Sequence, residues 1–219
     1  QKIRSIAPVK RNDAHRLIEE CMIAANVCAA KYLAQHKVPT LFRVHDSPED
    51  EKLEDLRGTL EDLGLKLGAP GRKIKPADYA KLSEQLEQRD DGHLIQTLML
   101  RSMMQAVYRP DNNGHFGLAL THYAHFTSPI RRYPDLLVHR GIKHLLAKQK
   151  RKDFPYNQNS MVSLGEHCSN NERRADDATR DAEQALKCEF MLDKVGEQYR
   201  AHVTGVTNFG IFVELDELY

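Results

Sequence analysis

Residues 114–135 read GHFGLALTHYAHFTSPIRRYPD, the stretch of this 219-residue sequence that says most about its fold and its chemistry. The first part is rich in histidine, aromatic and small residues with few charges, which indicates an extended segment that is buried or lines a site. Ser128 is a good N-cap and Pro129 fits the first helical position, so Arg131 falls at the third. A short helical turn here would direct backbone N–H groups outward beside a guanidinium. That combination is suited to binding phosphate.

The sequence on both sides of this stretch has mainly helical periodicity. Apolar spacing predicts helices over residues 12–36, 48–64 (capped by Ser47), 76–89, 93–108, 134–150 and 160–195. In the last of these, alanines at 175, 178, 182 and 185 predict a seam for close helix packing. Residues 39–45 favour a strand, and residues 199–215 favour two strands joined by a tight turn at Thr207-Asn208. The fold class predicted is therefore α+β and rich in helix.

Composition excludes several classes of protein. Lys and Arg total 32 against 31 Asp and Glu, a net charge of +1 that gives no overall cationic field. A hydrophobic fraction of 41% with 29% charged residues excludes a disordered or collagen-like chain. No run approaches the roughly 18 apolar residues of a spanning helix, and the N-terminal residues do not form a signal peptide. We therefore expect no membrane association.

The cysteines and the chain ends suggest where the protein occurs and what it belongs to. Cys21, Cys28, Cys168 and Cys188 form no CxxC pair and lie in apolar helical patterns, which predicts reduced, buried thiols in a cytoplasmic protein. The sequence begins without Met and stops within an alternating strand pattern. We expect it to be a piece of a longer chain.

The sequence resembles the ribonuclease II/ribonuclease R family, which is defined by the RNB domain. The likeness runs in the same order through nearly the whole chain, in residues 11–26, 114–140, 172–176, 188–191 and 195–213. The resemblance implies that residues 1–194 are the helix-rich C-terminal part of an RNB catalytic domain. It also implies that residues 195–219 are the first strands of a truncated OB-fold barrel of the ribosomal-protein S-one type.

The resemblance also implies a function. Members of this family hydrolyse single-stranded RNA processively from the 3′ end and release nucleoside 5′-monophosphates with magnesium. Arg131 matches the arginine that contacts the phosphate next to the scissile bond, where its planar fork could stabilise charge on the phosphoryl oxygens. Glu19 matches a glutamate that recognises ribose near the 3′ end, and a carboxylate accepting from a 2′-hydroxyl favours RNA over DNA. Asn26 shares a helical stripe with Glu19 and could support the same wall.

The remaining site predictions concern the signature stretch and the metal. Ser128, Arg132, His115 and His125 are expected to contact RNA. No metal ligand is predicted in this chain, because the family's magnesium-binding aspartates lie upstream of Gln1, and the chain alone is expected to be inactive as a nuclease. Thr179 occupies a position where some family members have glutamate, so that role is not transferred.

A second interpretation stays open at the level of sequence. The chain could be a non-catalytic RNA-binding module or scaffold from a degenerate homologue. An aspartate cluster in the preceding residues of the parent protein would favour the enzyme, and its absence would favour the module. In either case the expected partner is single-stranded RNA, and we expect a monomer.

Overall fold

A computed structural model describes residues 3–7, 10–69 and 71–216 of the chain. The chain separates into two compact units. The larger unit is Asp13–Asn170, and the other comprises the described residues of Gln1–Asn12 and Asn171–Tyr219. The helix-rich α+β class expected from the sequence is confirmed.

Six helices and four strands organise the described residues. In chain order they are α1 (Asp13–Gln35), β1 (Phe42–Val44), α2 (Asp50–Asp62), α3 (Pro76–Leu86), α4 (Gly92–Ser102), β2 (Val107–Arg109), α5 (Tyr133–Leu146), α6 (Gln158–Met191), β3 (Ala201–Thr207) and β4 (Gly210–Leu215). Strands β1 and β2 pair antiparallel, with Arg43 opposite Tyr108. Strands β3 and β4 form an antiparallel hairpin whose register is irregular between Val203 and Gly205.

Two apolar cores form within Asp13–Asn170. The first contains side chains of α1, β1, β2, α5 and α6, including Leu33, Val44, Tyr108, Leu137 and Met161. The second joins α2, α3 and α4, and its members include Leu53, Leu56 and Leu60 of α2. Burying each of these side chains contributes on the order of 2 kcal/mol before the entropy cost of ordering it.

The buried face of α1 is only partly the one that its apolar residues predict. Ala29 and Leu33 are buried as their spacing predicts, but Leu17, Cys21 and Cys28 are exposed and the polar Asn26 is buried. At 100° per residue, Leu17 lies opposite Asn26 on the helix. The helix carries apolar residues around most of its circumference, so periodicity alone does not select the buried face.

The prediction of buried cysteines was wrong. Cys21, Cys28 and Cys188 are exposed and Cys168 is half-buried, and all four are free thiols. The alanine seam of α6 was also wrong, because residues 175, 178, 182 and 185 are exposed and the buried residues of this helix are Met161, Gly165 and Ser169. Among the described residues, no helix is both long enough and apolar enough to cross a membrane.

Three element boundaries differ from prediction for local reasons. Helix α2 begins at Asp50 after an extended Glu49, so Ser47 does not cap it. Helix α4 ends at Ser102, and residues 107–109 form β2 because they pair with β1. The hairpin turn lies one residue later than predicted, since Thr207 already pairs with Gly210.

Close packing of α6 on β2 can be tested at Gly165. A Cβ there would lie 2.5 Å from the Tyr108 carbonyl oxygen. We expect Gly165→Ala to lower the free energy of unfolding by about 1–3 kcal/mol, because the helix must move away from the strand. Chemical denaturation followed by circular dichroism measures this change.

The matched control is Gly58→Ala in α2, where a Cβ meets no atom within 4 Å. Helix propensity should make this variant more stable by up to about 1 kcal/mol. Equal stability of the two variants would contradict the close approach of α6 to Tyr108.

Candidate nucleic-acid interface

Two helices hold the histidine- and aromatic-rich segment in place. Asn26 of α1, which is 3% exposed, donates from Nδ2 to Tyr123 Oη (3.1 Å) and accepts at Oδ1 from the Phe126 backbone N–H (2.9 Å). His139 of α5 donates from Nε2 to the Phe126 carbonyl oxygen (2.9 Å), and its ring stacks on Phe126 with centroids 4.3 Å apart. The Phe126 backbone is therefore bound on both sides, which determines the path of the segment.

The beginning of this segment is not extended as predicted. Residues Phe116–Leu118 form a 3₁₀ turn that ends at Ala119 in the left-handed region (φ 55°). His115 Nδ1 accepts from the Leu118 N–H (3.2 Å), and His45 Nδ1 accepts from the Gly117 N–H (3.0 Å). Both histidines thus bind the backbone of this turn. His115, which is expected to contact RNA, therefore also stabilises the turn.

The residues after Thr127 form a short turn that ends before α5 begins. The backbone N–H groups of Arg131 and Arg132 both donate to the Ser128 carbonyl oxygen, at 3.3 and 3.0 Å. The Ser128 N–H donates to Asp135 Oδ1 (2.7 Å), and α5 starts only at Tyr133. The predicted short helical turn beginning at Ser128 is therefore present, although the Ser128 side chain makes no capping hydrogen bond among the described residues. Because these N–H groups have partners inside the protein, a phosphate here would depend on the arginine side chains.

The two adjacent arginines have different surroundings. Arg132 is half-buried and donates from Nη2 to Asp135 Oδ1 at 2.8 Å, forming an ion pair with a carboxylate that is 0% exposed. Arg131 is exposed, and in the part of the chain that the structure describes its guanidinium has no hydrogen-bond or ion-pair partner. Ile130, next to it, is fully exposed. The turn therefore exposes the Arg131 guanidinium to solvent, whereas the Arg132 guanidinium stays paired with Asp135.

His125 lies in a positive field. Burial, followed by the charges of Arg132, Arg43, His115 and Arg131, lowers the pKa of His125 to about 3. Its Nδ1 shares a hydrogen bond with Tyr108 Oη (2.8 Å). His125 is therefore neutral at physiological pH, and the positive charges of three guanidinium groups act on it.

The ring of His115 is neutral for similar reasons. Burial lowers its pKa to about 4, with further contributions from His45 and Arg43. Its ring makes edge contacts with His45 (5.0 Å) and with Tyr123 (5.3 Å). The His115 ring is therefore polar and uncharged at neutral pH, and it packs between the rings of His45 and Tyr123.

Arg43 and Tyr108 are parts of this site that the sequence did not reveal. The Arg43 guanidinium carbon lies 4.6 Å from the centroid of the Tyr108 ring, a cation–π contact. The Arg43 backbone N–H also donates to the Tyr123 carbonyl oxygen (2.9 Å). The position of Arg43 could have been inferred from strand alternation. An arginine between the buried Phe42 and Val44 must face the other side of the strand.

Glu19 lies on the same side of α1 as Asn26. The two residues are seven positions apart, about two helical turns, and Glu19 is half-buried. The helix face that anchors the aromatic segment therefore also carries the carboxylate expected to recognise ribose.

A family model described as RNB domain matches residues 1–148, which is more than half of the chain. The chain belongs to the RNB-domain family. Ribonuclease R of Escherichia coli K12 is 52% identical to this RNB chain over 227 residues, covering 100% of the chain and 28% of that protein. Ribonuclease R of Vibrio cholerae is 54% identical over 228 residues, again covering 100% and 28%. The chain thus spans less than a third of the length of these relatives.

Solved structures agree with this assignment. The apo form of Mycoplasma genitalium RNase R matches with a TM-score of 0.89 at 26% identity, covering 95% of this RNB chain and 33% of that one. The same enzyme in complex with ribose-methylated single-stranded RNA matches with a TM-score of 0.87 at 25% identity, with the same coverage. Yeast Ssd1, described as a pseudonuclease, matches with a TM-score of 0.62 at 23% identity over 73% of this chain and 20% of its own, and shares the fold.

Metal binding has no site in the described part of this RNB chain. Within residues 3–7, 10–69 and 71–216, no group of three or more His, Cys, Asp or Glu side chains is placed to hold a metal ion. Asp135, the buried acid of the signature, is paired with Arg132. These residues therefore do not fit a magnesium centre.

The low pKa values of His115 and His125 predict a loss of stability in acid. Both values lie below the usual 6.5, so between pH 6.5 and about 4 to 3 the unfolded chain takes up protons that the folded chain does not. Each histidine should lower the free energy of unfolding by up to about 1.4 kcal/mol per pH unit in that range, with no further loss below it. Denaturation midpoints measured from pH 7 to pH 3 test this.

The comparison variants are His125→Gln and Gln96→Asn, the latter at an exposed position of α4 where no titratable group is changed. His125→Gln should flatten the acid dependence, and Gln96→Asn should leave it as in the wild type. Identical acid dependence in all three proteins would contradict the buried, neutral state of His125.

Proposed function

We propose that this chain forms one wall of the RNA channel of a 3′-to-5′ exoribonuclease that hydrolyses single-stranded RNA to nucleoside 5′-monophosphates. The observation that carries the proposal is the exposed Arg131 guanidinium, which the anchored turn presents without an acidic partner in the described chain. Membership of the RNB-domain family and the likeness to ribonuclease R support it. Activity, substrate and partner of the whole protein are part of this proposal.

Arg131 is assigned to the phosphate next to the scissile bond. A guanidinium offers two parallel N–H donors to a phosphate, and it stabilises charge that develops on the phosphoryl oxygens during hydrolysis. Arg43 and Arg132 add to the positive charge around His125. Because His125 is neutral, it adds no charge of its own and can face bases and sugars as a polar ring.

Glu19 is assigned to ribose recognition. Its carboxylate can accept a hydrogen bond from the 2′-hydroxyl, a group that DNA lacks. Asn26 has both amide atoms bound inside the protein, so its contribution is to hold Tyr123 and Phe126 in position. Ser128 contributes through its backbone, which closes the turn that carries Arg131.

Magnesium is proposed as the cofactor of the whole enzyme. The described residues of this chain do not fit a magnesium centre. The ion is assigned to the part of the enzyme upstream of this chain, and the roles given to Arg131 and Glu19 require no metal ligand from the described residues.

The hairpin of β3 and β4 is proposed as the start of an OB-fold domain that guides RNA, and residues 195–219 are assigned to it. Phe209 and Phe212 are exposed on this hairpin, where they could stack on bases.

We also propose a cytoplasmic location, which agrees with four free thiols, three of them exposed.

Arg131→Ala in the intact enzyme should lower kcat by about 10²–10³-fold, because the donor to the charge of the transition state is lost. RNA affinity should change by no more than a few-fold, since many other contacts hold the backbone. The kcat of Arg131→Lys should lie between the values of the wild type and of Arg131→Ala, because lysine keeps the charge but lacks the planar fork. Steady-state turnover on a labelled single strand, with binding measured separately, provides both values.

Arg151→Ala is the control, since Arg151 is exposed in the 3₁₀ turn Arg151–Asp153 outside the signature stretch. It should behave as the wild type. Turnover within a few-fold of wild type for Arg131→Ala would show that Arg131 has a different role.

RNA affinity of the intact enzyme should fall steeply with added salt. For single strands the slope of log affinity against log salt is about −0.7 per phosphate contacted, so several contacts give a steep line. Arg131→Ala should make that slope shallower by about one contact. A flat salt response of the wild type would argue against a phosphate-lined groove.

A further inference from the structure

Asp135 is a buried carboxylate in the first turn of α5, next to the turn that carries Arg131. It is 0% exposed, and its Oδ1 accepts from the Ser128 backbone N–H (2.7 Å) and from Arg132 Nη2 (2.8 Å). Burying a carboxylate is costly unless a cation and hydrogen-bond donors accompany it, and here both are present. Asp135 therefore ties both ends of the residue 128–132 turn to the helix.

The ion pair with Asp135 is the main difference between the two adjacent arginines. Each guanidinium carries five N–H donors in a planar fork and could bind phosphate equally well. Arg132 is half-buried and donates from Nη2 to Asp135. Arg131 is exposed, and its guanidinium has no hydrogen-bond or ion-pair partner in the described chain.

We propose that Asp135 is a positioning residue that selects which arginine meets the RNA phosphate. By binding the Arg132 guanidinium and the Ser128 N–H, it keeps Arg132 inside the protein and orients the turn so that Arg131 faces outward. This inference rests on the proposed function, because it concerns the arginine assigned there to the phosphate.

The surroundings of the ion pair explain why loss of the carboxylate charge should be detectable in RNA binding. Arg132 Nε, Asp135 Oδ2 and Thr127 Oγ1 are buried and have no hydrogen-bond partner among the described residues. If the carboxylate became a neutral amide, Arg132 would be a buried cation without a counter-charge, which is strongly unfavourable. Arg132 would then turn toward solvent, where it could bind phosphate in competition with Arg131.

The first experiment compares Asp135→Asn with the control Asp153→Asn in the full-length enzyme. Asp153 is exposed and lies in the same unit. We expect Asp135→Asn to lower kcat by about 10–100-fold, because small displacements of a positioned group have effects of that size. We also expect its salt dependence of RNA affinity to become steeper by about one contact, because Arg132 is released. The control should change neither quantity.

A second pair of variants keeps the test decisive if Asp135→Asn does not fold. Arg131→Ala should make the salt slope shallower by about 0.7, the contribution of one phosphate contact. The double variant Arg132→Gln with Asp135→Asn, which removes both charges, should have the wild-type slope and a higher kcat than Asp135→Asn alone.

The outcomes separate this inference from the proposed function. If Arg131→Ala abolishes turnover while Asp135→Asn keeps wild-type kcat and salt slope, the proposed function stands and the role of Asp135 is wrong. A double variant Arg132→Gln with Asp135→Asn whose salt slope falls by one contact also overturns the inference, since Arg132 then contacts phosphate in the wild type. A loss of thermal stability in Asp135→Asn with unchanged kcat would make Asp135 merely structural. Unchanged turnover in Arg131→Ala overturns both proposals.

Discussion

The two hydrogen bonds to the backbone of Phe126 position the parts of the chain that form the candidate site. Asn26 of α1 binds the N–H, and His139 of α5 binds the carbonyl oxygen. An amide group buried without such partners would cost about 1–3 kcal/mol, so the segment is strongly held to both helices. As a result, the helix that carries Glu19 and the turn that carries Arg131 are positioned against one common piece of backbone.

Electrostatics in this region depend on a small number of pairings rather than on net charge. The whole sequence has a formal charge of only +1. Near His125, however, the charges of Arg43, Arg131 and Arg132 combine, and burial keeps His125 neutral. Asp135 is the acid that pairs with one of these arginines. A balanced protein can thus present a locally positive surface to a polyanion.

Much of the fold could be predicted because it depends on local geometry. The leucine spacing of α2, the proline that starts α3 and the alternating residues of β3 and β4 each act within a few residues. Other features depend on residues far apart in the chain. Arg43 and Tyr108 meet because β1 pairs with β2, about sixty residues later in sequence, and the buried side of α1 is selected by contacts with residues near position 125.

The sequence by itself determined the family, the helical character and the residue types of the signature, because these follow from local patterns and from ordered motifs. The family resemblance assigned the phosphate contact to Arg131, but only the tertiary structure gives a physical difference between Arg131 and Arg132, which are identical in type and adjacent in sequence. Their difference arises because Asp135 is buried beside the Ser128 N–H and attracts the nearer guanidinium. Burial and pairing of charges depend on how elements pack together, and periodicity along a single chain does not contain that information.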